Sequence, residues 1–544
     1  MSRTVARAVG ERLADLGVGA AFGVVGSGNF EVTNALTASG VRFVAARHEG
    51  GAASMADGYS RFAALPGVLS LHQGCGLTNA MTGIAEAAKS RTPMLVLAAD
   101  TAGSAVLSNF RIDQEALVRS VGAVAERVHG PATALADVDR AYRTAVHGRR
   151  TVVLNLPLDV QAATTPNADV AALVEAPLPI RPAEESVAAL ARLLASADRP
   201  VFVAGRGGRE AGPEIAALAE QAGALVATSA VANGLFEAEE FRLGISGGFS
   251  SPLAAELIAG ADLVVGWGCA LNMWTMRHGS LIGPGARVVQ VDDEQAALGA
   301  HRAIDLGVHG DCATTARDVA AVLDARRTGY RSRAVAERLH TSRWWNQTPT
   351  DDLSTGERID PRVLSAELDR ILPTERVVAI DSGNFMGYPS AYLRVPDENG
   401  FCFTQAFQSI GLGLASGIGA MLAQPERLAV VGTGDGGFLM AVSELETAVR
   451  IGLPLVVVVY DDAAYGAEVH HFGRTADLSA VTFPETDLAA IARGFGATGV
   501  SVRHIADLAC VRDWLLAPVG VLVVDAKIAD DGGSWWLEEA FKGH

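Results

Sequence analysis

Val430-Val431-Gly432-Thr433-Gly434-Asp435-Gly436-Gly437-Phe438 is an apolar run that breaks into a glycine-rich acidic turn. A helical stretch carrying Ser443, Glu444 and Glu446 follows, then a second apolar run over 453–460. That run ends in Asp461-Asp462-Ala463-Ala464-Tyr465-Gly466. Strand, helix and strand in this order make a crossover between parallel strands. Both acidic turns are thereby placed at the carboxyl ends of neighbouring strands, the edge where doubly wound sheets bind ligands.

Working outward, the same rhythm recurs. Continuous apolar runs at 41–46, 68–72, 94–99 and 151–156 read as buried strands, as do 201–204, 262–266 and 287–291. Further runs at 376–380, 428–431 and 521–524 join the last group. Runs without polar alternation suit parallel strands covered on both faces. Helix-length segments such as 49–62, 214–222 and 443–451 lie between them. The expected fold is α/β, with three doubly wound parallel-sheet domains. Two stretches lose the rhythm and read as linkers: 162–182, rich in Pro, Ala and Thr, and 326–360, polar and charged. They divide the chain into domains 1–165, 184–328 and 360–544, each within the usual size range.

Composition narrows the function. A chain of 544 residues exceeds what one core serves, and its 49% hydrophobic content suffices for several. The net charge of −17 argues against a nucleic-acid partner, whose phosphates need clustered Lys and Arg. The five cysteines show no metal-ligand spacing and suit a reducing compartment. The first residues read as an amphipathic helix with Val5, Val9, Leu13 and Leu16 on one face, without the apolar core of a signal peptide. The apolar stretch 412–423 is too short to span a bilayer. A cytoplasmic enzyme acting on a small molecule, with no membrane partner, is the expectation.

The two acidic turns suit Mg²⁺, which takes one or two carboxylates, other oxygens and substrate phosphates. Asp435 and Asp462 would supply the carboxylates and Ala464 a carbonyl oxygen. Gly434, Gly436 and Gly437 would let backbone N–H groups approach a diphosphate. A Gly-Asp-Gly turn alone has a plain structural reading. The second acidic turn one crossover later is what points to a metal.

This arrangement resembles the thiamine-diphosphate motif of the acetolactate synthase, pyruvate decarboxylase and benzoylformate decarboxylase superfamily. The family usually carries Asn-Asn where this chain has Asp461-Asp462, which adds negative charge. Arg47-His48-Glu49, followed by Gly50-Gly51-Ala52-Ala53, is similar to the segment whose glutamate faces the cofactor's pyrimidine ring. By that likeness Glu49 would bond ring nitrogen N1′ and promote the imino tautomer that deprotonates the thiazolium C2. Read alone, Glu49 is also an ordinary first-turn helix residue.

Further segments carry the resemblance across the chain. Gly74-Cys75-Gly76-Leu77-Thr78-Asn79 is similar to a Gly-Pro-Gly-x-Thr-Asn turn, with Asn79 near the cofactor. Asp381-Ser382-Gly383-Asn384 resembles a second phosphate-side loop containing Gly383 and Asn384. Ile410 resembles the apolar wedge that bends the cofactor, and the Gln408 carbonyl the acceptor for its aminopyrimidine. Tyr465 and Gly466 continue the metal turn. The resemblance implies decarboxylation of a 2-oxo acid to an enamine carbanion. That species is either protonated or ligated to an aldehyde or ketone acceptor.

Ser27 and His72 match a substrate-binding serine and a catalytic histidine, although His72 can equally be structural. Gln114 and Glu468 match polar residues of the acetolactate synthase and pyruvate decarboxylase types. Gly205-Arg206-Gly207-Gly208 falls short of a dinucleotide fingerprint because Glu210 stands at its last glycine, which leaves FAD open. An FAD-dependent pyruvate-oxidase-type enzyme and a non-catalytic homologue remain as alternatives. The family's active sites lie between subunits, which implies a homodimer or homotetramer.

Overall fold

The computed structural model describes residues 3–165, 176–323, 326–473, 475–533 and 536–537. It contains three six-stranded sheets, one per expected domain, in which every strand pair is parallel. In the first sheet the strands are Ala20–Gly23, Arg42–Ala45, Val68–Leu71, Met94–Asp100, Val124–Arg127 and Thr151–Pro157. Numbered along the chain, their spatial order is 2-1-3-4-6-5. The third sheet is built from Arg376–Ile380, Phe401–Phe403, Leu428–Gly434, Leu455–Asp461, Thr498–Val502 and Val521–Lys527, and repeats the order 2-1-3-4-6-5. The middle sheet runs Pro200–Ala204, Leu225–Thr228, Arg242–Ile245, Leu263–Trp267, Arg287–Asp292 and Leu306–His309. Its order, 3-2-1-4-5-6, is that of a dinucleotide-binding fold.

Each sheet reverses its strand order beside its first strand, and the crevice there is the natural ligand position. In the outer sheets this crevice lies between strands 1 and 3. In the third sheet those strands are Arg376–Ile380 and Leu428–Gly434, paired from Arg376↔Leu428 to Ile380↔Gly432.

The expected linkers differ from the structure in detail. Of 162–182, residues 166–175 lie outside the described residues, while Thr164–Thr165 pairs antiparallel with Arg3–Thr4. Within 326–360 the structure has a helix, Arg333–Ser342. Its Val335 and Leu339, one turn apart, are buried against Leu253 and Ile258 of the middle domain. Two apolar positions among eight polar or small ones are enough to dock a helix, and too few to announce one.

One core runs through both outer domains, joining Met55 and Ile84 to Leu414, Ile418 and Val431. At its centre helix Glu49–Ser60 crosses helix Gly413–Ala423. A Cβ on Gly58 would lie 2.3 Å from the Ser416 carbonyl oxygen, and one on Gly419 would lie 2.1 Å from that of Met55. Backbone-to-backbone contact of this kind is open only to glycine. Among the described residues no helix is long and apolar enough to cross a membrane.

Candidate active site

The third sheet's crevice is organised by a buried carboxylate. Asp381 follows strand 1 and accepts from the N–H groups of Ser382 at 2.8 Å, Gly411 at 2.9 Å and Leu412 at 3.2 Å. It also accepts from the Thr433 hydroxyl at 2.9 Å. One side chain thus ties together the 381–384 turn, the 408–412 loop and the end of strand 3. Burial pushes its pKa up to about 6, against the hydrogen bonds that lower it.

Asp435 starts helix Asp435–Ala441 on the far side of this crevice. Burial, and then the nearby Asp461, push its pKa up to about 6. Asp462 immediately follows the next strand, whose Tyr460 pairs with Gly434 across the ladder. Burial, and then the charge of Asp435, push Asp462 up to about 8. Two carboxylates whose pKa values are raised by burial and by neighbouring acids are a ready donor pair for a divalent cation.

Asp462 Oδ2 sits where a Cβ on Gly466 would be, 2.3 Å away, and the Asn384 side chain lies beside the same point. The Ala464 N–H donates to Asp462 Oδ1 at 3.2 Å. Among the described residues no group of three or more His, Cys, Asp or Glu is placed to hold a metal. The centre therefore offers two carboxylates and leaves the other positions to carbonyls, phosphate and water, the pattern Mg²⁺ prefers. A cavity of about 280 Å³ adjoins it, lined in part by Asp435, Gly436, Met440, Tyr465 and Phe483.

The extra acid of the Asp-Asp pair is neutralised inside the fold. Asp461 and Lys527 are direct partners on adjacent strands and form a buried ion pair. Lys527 also reaches Asp525 at 3.1 Å and donates to the Thr486 carbonyl at 2.7 Å. Asp461 is thus held by Lys527, while it also lines the adjoining cavity. Lys527 lies more than sixty residues further along the chain, and no local spacing marks it.

Around this crevice Gly383 and Asn384 fall at the start of a short helical turn, with Asn384 buried. Gln408 adopts a left-handed backbone conformation (φ 61°), and its carbonyl accepts from Ser382 Oγ at 3.4 Å. A non-glycine residue there is strained and marks a turn held for a purpose. Ile410 is half-buried on the same loop. Glu468 is exposed on helix Gly466–Phe472.

The first sheet's carboxyl edge collects a second group. Glu49 opens helix Glu49–Ser60, and Asn79 Nδ2 donates to its Oε2 at 3.0 Å. His72 follows strand 3, and its Nδ1 accepts the Gly28 N–H at 3.2 Å. That bond leaves the proton of the neutral ring on Nε2. Burial lowers the His72 pKa, partly offset by the charge of Glu49. The ring meets Phe110 edge-on at 5.0 Å. Ser27 is exposed on the turn after strand 1.

Gln114 is buried, and its amide is fully used. It accepts from the Gly74 N–H at 2.8 Å and donates to Ala99 O at 3.1 Å and Asn155 Oδ1 at 2.7 Å. It holds the turn from which helix Cys75–Lys89, with Asn79 on it, departs.

Among the described residues no hydrogen bond or ion pair joins Glu49, Asn79 or His72 to Asp435 or Asp462. The two groups occupy separate edges of the chain.

The middle sheet's crevice is closed by the chain itself. The Gly207 N–H donates to Gly268 O at 3.1 Å, and a Cβ on Gly205 would lie 2.3 Å from that same oxygen. Arg206 is half-buried and runs out to the Ser90 carbonyl of the first domain. FAD, which the sequence left open, finds no support here.

Comparison with known proteins agrees with this architecture. Residues 3–117 match the model of the thiamine pyrophosphate enzyme N-terminal TPP binding domain, 187–319 that of its central domain, and 381–526 that of its C-terminal TPP binding domain. The chain is 31% identical over 525 residues to a sulfoacetaldehyde acetyltransferase of Rhodobacter capsulatus, covering 90% of this chain and 88% of that one. It is 31% identical over 483 residues to a probable 2-ketoarginine decarboxylase of Pseudomonas aeruginosa, covering 85% and 83%. A putative acetolactate synthase large subunit of Mycobacterium tuberculosis is 30% identical over 514 residues, covering 90% and 91%.

Proposed function

This chain belongs to the thiamine pyrophosphate enzyme family, and from that premise we propose that it is Mg²⁺-dependent, removes CO₂ from a 2-oxo acid, and passes the remaining acyl unit to a proton or to a second carbonyl compound. The observation that carries the reading is the pair Asp435 and Asp462. They follow neighbouring strands beside a glycine turn, and burial with the charge of nearby aspartates pushes them up to about 6 and about 8.

When bound, thiamine diphosphate supplies the carbon nucleophile for the substrate carbonyl and the ring that accepts the electron pair left by CO₂. Asp435, Asp462 and the Ala464 carbonyl hold the cation. The N–H groups of the 434–437 turn, with Gly383 and Asn384, take the diphosphate oxygens. Glu49 holds a proton at the pyrimidine N1′, and Asn79 orients its carboxylate. His72, neutral with its proton on Nε2 because burial lowers its pKa, offers that N–H as a hydrogen-bond donor to substrate, and its imidazolium is the form that can deliver a proton. Ser27 takes the substrate carboxylate, and Glu468 steers the departing product. Gln114 acts by positioning the Gly74 turn, since its buried amide is already bonded to Gly74, Ala99 and Asn155.

One complete site then needs the first-domain edge of one copy against the third-domain edge of another, in a homodimer or a tetramer of such pairs. Exposed apolar side chains on both edges support this: Val25 and Phe110 on one, Leu439, Met440 and Phe483 on the other.

The test is a screen of 2-oxo acids for CO₂ release, with and without an added aldehyde, on protein stripped of cofactor and divalent ions. Turnover should vanish on stripping and return with Mg²⁺ and thiamine diphosphate together. Full activity after verified removal of both would refute the reading.

A further inference from the structure

Two buried glutamates cross between the outer domains, one in each direction. Glu444 lies in the first turn of helix Ser443–Ile451 and is 1% exposed. Its Oε1 accepts the N–H groups of Arg47 at 3.2 Å and His48 at 2.9 Å, and its Oε2 accepts the Thr447 hydroxyl at 2.7 Å. Those two amides immediately precede Glu49.

Glu86, on helix Cys75–Lys89, is likewise 1% exposed. It accepts the N–H groups of Ala406 at 3.2 Å and Phe407 at 2.7 Å, immediately before Gln408. Each donor pair follows strand 2 of one sheet, and each acceptor lies on the helical segment after strand 3 of the other. The shared strand order makes the two contacts counterparts.

They differ in their company. Glu86 is paired with Arg61 at 2.9 Å. Among the described residues no Lys or Arg pairs with Glu444, and burial raises its pKa. Burying a carboxylate without a cation is costly. The chain nevertheless makes room for it: a Cβ on Gly51 would lie 2.3 Å from Glu444 Oε1.

We propose that Glu444 is a positioning residue for cofactor activation, in which the third domain fixes the turn that presents Glu49. Glu444 touches neither cofactor nor substrate. It satisfies two amides that the helix leaves without partners, and so sets where the Glu49 carboxylate points. This rests on Glu49 acting at the pyrimidine N1′. A displacement of about 1 Å at such a group costs on the order of a hundredfold in rate.

The test uses the holoenzyme and follows exchange of the bound cofactor's C2 proton by NMR, with thiamine diphosphate affinity and melting temperature measured in parallel. Glu444→Ala should slow exchange by about tenfold to a hundredfold, while affinity, set at the Asp435 edge, stays within about threefold. Glu444→Gln should recover most of the rate. Its amide oxygen accepts the same two N–H groups, and the Thr447 hydroxyl can turn to accept from the amide nitrogen. Where Glu444→Ala does not fold, Thr447→Val frees the second carboxylate oxygen and should slow exchange by a smaller factor at unchanged affinity.

Wild-type exchange in folded Glu444→Ala, or in Thr447→Val where that variant stands in, overturns the proposal. So does a parallel loss of exchange, affinity and melting temperature. Glu49→Gln serves as the control. If it exchanges like wild type, the reading beneath the proposal fails, and the proposal falls with it.

Discussion

Lys527→Met removes a charge whose surroundings are fully visible. Lys527 and Asp461 are each 2% exposed as side chains, and Asp525 is 1% exposed. Without the ammonium, Asp461 keeps the Ala463 N–H at 2.9 Å, and Asp525 keeps those of Leu488 and Ala489 at 3.1 and 3.4 Å. Two buried carboxylates then face each other with amides alone. Breaking a buried pair from one side typically costs about 3–5 kcal/mol, and two stranded acids put this case at the upper end.

A carboxylate can escape by taking up a proton, which limits the loss. Burial already pushes Asp525 up to about 6 with Lys527 beside it, and removing the cation raises it further. A group whose folded pKa is raised loses its contribution as pH climbs through that value. The Lys527→Met deficit should therefore be larger at pH 8 than at pH 5.5.

Asp461→Asn alone should cost only about 1–2 kcal/mol, because Lys527 keeps Asp525 and the Thr486 carbonyl. The double variant should be less destabilised than the sum by about 2 kcal/mol, as expected for groups in contact. Urea unfolding followed by tryptophan fluorescence gives all four corners of the cycle. A Lys527→Met cost under about 1 kcal/mol, or strict additivity with Asp461→Asn, would refute the view that Lys527 exists to neutralise the second acid of the pair.

Two further outcomes follow from the site. Asp462 is pushed up to about 8 and Asp435 to about 6, so at pH 7 the empty pair holds roughly one proton that a divalent cation must expel. Calorimetry of Mg²⁺ with thiamine diphosphate, in buffers of different ionisation heat, should show release of about one proton near pH 7 and almost none at pH 9.5, and equal release at both would remove the pair as ligands. His72→Ala should cut aldehyde release by about a hundred- to ten-thousand-fold and ligation to an added aldehyde far less. Equal losses would make the ring a binding or structural group.

What the sequence disclosed tracks what its residues bury. Met94–Asp100 and Val521–Lys527 are buried at every position, and the apolar runs 94–99 and 521–524 within them mark both strands. Val124–Arg127, Arg242–Ile245 and Thr498–Val502 are edge strands, half-covered and mixed in polarity. They carry no run to find. Phe401–Phe403 is too short to register. In the site, Asp435, Asp462 and Glu49 were legible because the spacing of a few chemical groups is local. Lys527, Glu444 and Glu86 were not. Glu444 meets the His48 amide across 396 residues of chain, and no pattern within either segment records that partnership.

The reciprocal glutamates add a constraint that neither sheet carries alone. The outer domains meet through the helices after strand 2, where Gly58 and Gly419 let backbones touch. The crevices lie between strands 1 and 3, and in the third domain the contact helix starts against the crevice residue Asp381. By the proposed reading, ligand binding uses the sheet edges and domain pairing the helices after strand 2 of one repeated topology. Glu444 and Glu86 are where the two uses join, since each starts in one domain's strand-3 helix and ends on the turn beside the other's strand 2. A substitution that loosens the Gly58–Gly419 crossing should therefore disturb Glu49 and Gln408 together, even though neither residue lies in the crossing.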